Sequence, residues 1–390
     1  MGSNSIQTSW SRQTSNLNSS TTASPPTANT PTPAAGASKP PPYPSDEALQ
    51  RAWDDLPDRD IDWSSGSHLP AMDPQAERIA EAKRAADAKV QAKLDAVHDR
   101  FSGPYTVNGA SVPARPMFRM NVNANNNRNE LVKICQKAHV PGNAINNACM
   151  GRPTPEQLVQ VTQALIDAGK LPAEDAKLNT VEKRIRNMQF EWGIGVDCAG
   201  YVREAATAVH GKGAQSLVNG THRYGAIYSY LQTPAFKKVA FIEGGDKKVV
   251  HPKIHNMSDI RAGDIIHLDP NPNGQEVFGH NVIVHSHEVH EFATYSLRED
   301  LNARSPGNSK VDEFLKGTGP FHVLNVDSSW GAGSTGEDFG GFRRDTWYYD
   351  ESSRKWGYFD HQPPREFKIN ATGGPQDEIF TGAFRPASAK

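Results

Sequence analysis

Cysteine is scarce in this chain: Cys135, Cys149 and Cys198 are the three among 390 residues. So few, with no Cys-x-x-Cys pair, exclude a disulfide framework and give no sign of structural zinc. No run of about eighteen apolar residues occurs, which excludes a membrane-spanning helix. The N-terminus also lacks the basic start and apolar stretch of a secretory signal. The expectation is therefore a chain that stays in the cytoplasm or leaves by a specialised bacterial secretion system. Neither sign of charge is in excess. With 42 Lys plus Arg against 44 Asp plus Glu, nothing calls for a nucleic-acid or anionic-membrane partner. Hydrophobic residues, at 36%, fall below the globular norm, so part of the chain is expected to stay unfolded.

That deficit is concentrated at the start. Residues 1–45 are nearly all Ser, Thr, Asn, Pro, Ala and Gly, too poor in large apolar groups to offset the entropy of ordering. Residues 1–70 are read as a disordered Ser/Thr/Pro-rich leader, of a composition resembling the starts of bacterial secreted effectors. Residues 71–175 read as a helical region of unassigned role, either a separate domain or a support for the C-terminal half. Asp73-Pro74 opens one helix, with Ile79, Ala86, Val90, Leu94, Val97 and Phe101 on one face. After an irregular stretch ending in Asn121–Asn127, Asn129–Ala138 forms another. There Leu131, Ile134, Cys135 and Ala138 make an apolar stripe, so Cys135 is read as core, as is Cys149, with a bridge between the two as the alternative. Thr154-Pro155-Glu156-Gln157 is a capping box for a third helix, stopped by Gly169.

Residues 176–365 read as a second region, with 366–390 as a tail. A helix at about Thr180–Met188 precedes Cys198. Strands follow at Lys238–Ile242, Asp264–Leu268, His280–Val289 and His322–Asp327, then a hairpin of Thr346–Tyr349 and Trp356–Phe359. A helix followed by sequential strands predicts an antiparallel α+β fold.

Within Gly195-Val196-Asp197-Cys198-Ala199-Gly200-Tyr201-Val202, the residues from Tyr201 onward have helical spacing. Cys198 then sits on the first turn with Asp197 as N-cap. A helix start favours thiolate over thiol, the attacking species in amide hydrolysis. The backbone N–H of Cys198 is a candidate oxyanion donor. Read alone, the same pattern equally fits a small buried cysteine.

Two further segments, Ile260-Arg261-Ala262-Gly263-Asp264-Ile265-Ile266 and Gly279-His280-Asn281-Val282-Ile283-Val284, complete a pattern. In this order the three resemble the NlpC/P60 and CHAP families of papain-like peptidases and amidases. Asp327-Ser328-Ser329-Trp330-Gly331 resembles a CHAP segment as well. The resemblance covers about 185–360. It implies a nucleophile helix packed on a small antiparallel sheet, with Cys198 as nucleophile and His280 as general base. Asp327 would orient the imidazole, with Asn325 as the alternative third residue. No cofactor is implied. Ala199 and Asn281 depart from the families' usual residues, and the interval between His280 and Asp327 is longer than their hairpin. Within that interval Arg298–Gly319 is read as a polar loop covering the site, and the Tyr- and Gly-rich Gln215–Gln232 as a cleft wall or an ordinary loop.

The activity implied is hydrolysis of amide bonds in peptidoglycan peptides, by a secreted effector or toxin with a secretion-system, immunity or chaperone partner. Three other readings fit the same residues. One is a thiol acyltransferase or deamidase acting on a protein of a host or target cell. Another is a non-catalytic binding module. The last is a metal-binding protein. His285 and His287, at even separation on one strand, would share a face opposite His280 and form the metal pair. His267 and Asp269 share a parity on another strand and are treated alike.

Overall fold

The structure is a computed structural model that describes residues 74–119, 127–214, 231–242, 253–269, 279–330, 340–360, 366–370, 374–375 and 378–387. The expected leader at 1–70, the Asn-rich 121–126, most of Gln215–Gln232 and Gly331 lie outside the described residues.

The fold is mixed α+β. A long helix α1 (Pro74–Phe101) leads to a two-stranded ribbon, β1 (Tyr105–Val107) and β2 (Ala110–Val112). Helices α2 (Arg128–Lys137), α3 (Gly142–Cys149), α4 (Pro155–Asp167), α5 (Val181–Glu191) and α6 (Cys198–His210) follow. Strands β3 (Phe236–Ile242), β4 (Ile254–His255), β5 (Ile265–Asp269) and β6 (His280–His290) come next. Two helices, α7 (Tyr295–Arg304) and α8 (Ser309–Phe314), then interrupt the strands. Five strands close the described chain: β7 (Phe321–Trp330), β8 (Gly341–Asp350), β9 (Lys355–Phe359), β10 (Phe367–Asn370) and β11 (Ile379–Pro386). All but the ribbon belong to one antiparallel sheet of order β10-β9-β8-β7-β6-β5-β11-β3-β4.

The helices begin where local chemistry dictates. At α4 the Thr154 hydroxyl accepts from Gln157 N (3.3 Å) while the Gln157 side chain accepts from Thr154 N (3.0 Å), with Pro155 at the first helical position. Thr154→Ala should therefore cost about 1 kcal/mol, read as a lower denaturation midpoint at unchanged slope.

Alternation divides each strand between two cores. One face of the sheet contributes Ile265, Ile283, Phe342 and Phe384. These pack with Leu94, Val97 and Phe101 of α1, with Val202, Ala205 and Ala206 of α6, and with Leu131, Cys135 and Cys149 of α2 and α3. Rings of Phe101, Tyr201 and Phe342 lock the three elements edge to face, at 5.0 Å and 4.2 Å from Phe342. The described helices of the region 71–175 thus share one core with the sheet. Cys135 and Cys149 are buried free thiols, as expected of core residues.

The other face holds Ile266, Leu268, Val282, Val284, Val326, Trp330, Trp347, Trp356 and Phe380. Trp356 of β9 and Phe380 of β11 lie five strands apart in the sheet, yet their rings are 5.9 Å apart. A flat sheet would separate them by roughly 24 Å, so the sheet curls around this second core.

Two expectations are corrected. Arg298–Gly319 is not a loop: α7 and α8 occupy most of it, burying Leu297, Leu301, Val311 and Phe314 against Phe321, Tyr348 and Phe367. Thr294 and Asn308 cap these helices. The segment 366–390 is not a tail either, because β10 and β11 are sheet strands and β11 lies between β5 and β3.

Candidate functional site

The site begins where the backbone before α6 crosses Gly151. Asp197 N donates to Gly151 O (2.8 Å). A Cβ at Gly200 would lie 2.3 Å from the same oxygen, so this first turn needs glycine to dock. Asp197 caps α6 as expected, accepting from Gly200 N, and its other oxygen meets Arg152 Nε at 3.4 Å. Burial raises the Asp197 carboxyl to about 6, with Arg152 opposing the rise. Between the ordinary 3.8 and about 6 the folded state therefore holds an extra proton. The stability tied to that proton is full below the window and is lost as pH rises through it. Asp197→Asn removes this dependence. The melting-temperature advantage of the native chain over the variant should shrink as pH climbs from 4 to 7.

Cys198 is a half-buried residue. Burial, and then the negative charge of Asp197, push the thiol up to about 12, while a hydrogen bond from the Asn281 backbone N–H pulls it down. The helix start does not prevail over burial, which favours the thiol over the expected thiolate.

Asn281 opens the floor beneath α6. It lies directly opposite His267 in the β5–β6 register, and its Oδ1 is 2.9 Å from His267 Nδ1. Both side chains are buried, and burial lowers His267 to about 4. A Cβ at Gly279 would lie 2.2 Å from His267 Cε1; glycine there makes room for the ring.

The other expected residues are placed differently. Alternation carries His280 to the face of Leu268 and Val282, where its ring stacks on Trp330 at 3.7 Å. Asp327 pairs with Ile283 on the helix-facing side. There it receives both Arg344 Nε (2.7 Å) and Nη2 (3.0 Å), and Arg344 also reaches Asp95 of α1 (2.8 Å). Asn325 bonds Ser286 and Thr346, each at 2.8 Å. Neither orients His280. Asp327 lies on the opposite face and ties α1 to the sheet.

The proposed metal pair is also divided. A β-bulge between Val284 and Ser286 inserts His285 as an extra residue, and parity reverses beyond it. His285 faces Asp95 of α1 (3.2 Å), whereas His287 bonds Ile260 O (2.8 Å) and His322 Nδ1 (3.1 Å) on the far side. Among the described residues no cluster of three or more His, Cys, Asp or Glu side chains suits a metal ion. Also among them, no helix is long and apolar enough to cross a membrane.

No family model, curated protein or solved structure matches this chain.

The pair His267–Asn281 was therefore visible only through its local pattern. His267 interrupts the apolar run Ile265-Ile266-His267-Leu268, and Asn281 stands where an apolar residue would suit the strand. Neither signal says that the two meet.

Proposed function

We propose that this protein is a papain-like cysteine hydrolase of amide bonds with Cys198 as its nucleophile. One observation carries the reading. A thiol on the first turn of a capped helix meets the backbone of Asn281, whose side chain bonds an imidazole in the strand beneath.

A neutral thiol and a neutral imidazole, both bonded to Asn281, make a competent resting state. The imidazole takes the sulfur's proton as the sulfur attacks the substrate carbonyl. The Cys198 backbone N–H at the helix start holds the developing oxyanion. The imidazolium then protonates the leaving amine, and water cleaves the thioester. The sequence resemblance directs this chemistry to bacterial cell-wall peptides, and the leader composition suits a secreted effector.

Purified protein incubated with purified peptidoglycan should release fragments whose masses together exceed the parent by one water. Transfer of the acyl group to an added amine instead of water would reassign it as an acyltransferase. Absence of both reactions would overturn the proposal.

A further inference from the structure

We propose that His267, and not His280, is the general base for Cys198, with Asn281 as the residue that positions it. The inference rests on Cys198 being the nucleophile and deepens that reading by naming its partner.

Three observations carry it. The first is the face. Ile265 and Ile283 pack on the helix side with Val202 and Ala205 of α6. His267 and Asn281 stand two residues from each of them, on the same side by alternation. His280 and its cross-strand neighbour Leu268 belong to the other face, where Leu268 and Trp330 line the second core.

The second is shared anchorage. The Asn281 backbone N–H donates to the sulfur, and its side-chain oxygen accepts from the imidazole Nδ1–H. One residue thus fixes both reacting groups. Its own carbonyl is fixed by the Ser328 hydroxyl at 2.7 Å, and the His267 carbonyl by Thr381 Oγ1 at 3.0 Å.

The third is the tautomer. An amide oxygen at 2.9 Å from Nδ1 requires Nδ1 to carry the proton, which makes Nε2 the basic nitrogen. Gly279 lets the ring lie where a Cβ would come within 2.6 Å of that nitrogen.

The proton balance closes within these groups. The Sγ–H proton moves to Nε2 as the S–C bond forms. The C–N bond breaks as Nε2–H returns the proton to the amine. A water then gives its proton to Nε2 while its oxygen displaces sulfur. The thiol re-forms when that proton returns.

Four variants test the assignment: His267→Gln, His280→Ala, Asn281→Ala and Asn281→Asp. Glutamine keeps a buried amide able to bond Asn281, so a melting temperature near that of the native chain separates lost chemistry from lost fold. His267→Gln should lower peptidoglycan hydrolysis by ~10³-fold, within the range for a general base, while His280→Ala stays within tenfold. Asn281→Ala should lower kcat more than it changes KM and should shift the pH profile, with Asn281→Asp restoring part of the loss. The opposite ranking, with His280→Ala inactive and His267→Gln active, would overturn the assignment.

A second measurement does not depend on the substrate. The pH dependence of Cys198 alkylation by iodoacetamide should change in His267→Gln and not in His280→Ala. Identical profiles in the two variants would also overturn it. A chain that fails on peptidoglycan yet shows the His267-dependent profile would refute the substrate and uphold the pair.

Discussion

Cys198→Ala should abolish amide hydrolysis, with a loss on the order of 10⁴-fold or more, as for removal of a covalent nucleophile, and should leave the fold intact. The structural cost is small because little is removed. The thiol is neutral at rest, so no buried charge loses its counter-ion, and one sulfur leaves a half-buried position. Melting temperature should move by only a few degrees. The same variant reads out labelling cleanly. Cys135 and Cys149 are 0% and 1% exposed, whereas Cys198 is half-buried. Alkylation of the folded chain should therefore fall almost wholly on Cys198 and vanish in the variant. Hydrolysis by Cys198→Ala at a tenth of the native rate would leave the nucleophile assignment untenable. Equal labelling of native chain and variant would point to a binding module.

The elements were largely legible because they follow short-range rules. The capping box at Thr154, the N-cap at Asp197 and the alternating strands each lie within a few residues of the chain. The β8–β9 hairpin is equally local, since Asp350 receives both Ser352 N and Ser353 N at its turn. The site was legible only in part, because it depends on parity between strands. In the segment Gly279-His280-Asn281 a step of one residue exchanges the two faces of the sheet. The motif drew attention to His280, whereas α6 covers the side reached by Asn281. The bulge at His285 shows the same effect, since one inserted residue sends His285 and His287 to different cores. Helices α7 and α8 were hidden for another reason. Leu297 and Leu301, then Val311 and Phe314, offer one apolar pair each, too short a period to register against polar surroundings.

What the sequence hid most fully is the strand β11, and its removal or loosening carries the second large expectation. Deleting residues 378–390 should leave the chain unable to fold, because β5 and β3 both lose their neighbour. A milder variant isolates one interaction. Arg385, near the end of β11, places Nε and Nη2 each 2.6 Å from the Asp264 carboxylate and gives Nη2 to Asp259 O at 2.9 Å. Asp264 is fully buried and also accepts from Arg261 N at 3.0 Å. The aspartate of the Arg261-Ala262-Gly263-Asp264 turn is therefore structural, clamping the last strand to the turn that starts β5. Arg385→Ala would strand a carboxylate in the interior, at a cost of about 3–5 kcal/mol, a large share of the ~5–15 kcal/mol typical of a folded domain. Denaturant unfolding at pH 7 measures it. Burial already raises Asp264 above the ordinary carboxylate value, and loss of Arg385 raises it further. The folded variant then binds a proton that the unfolded chain does not, so its deficit should narrow as pH falls from 7 toward 5. Asp264→Asn combined with Arg385→Ala should recover part of the loss, since no charge is left without a partner. A deficit below about 1 kcal/mol in the single variant would mean that water reaches Asp264, and that the turn three residues before His267 is held by its backbone alone.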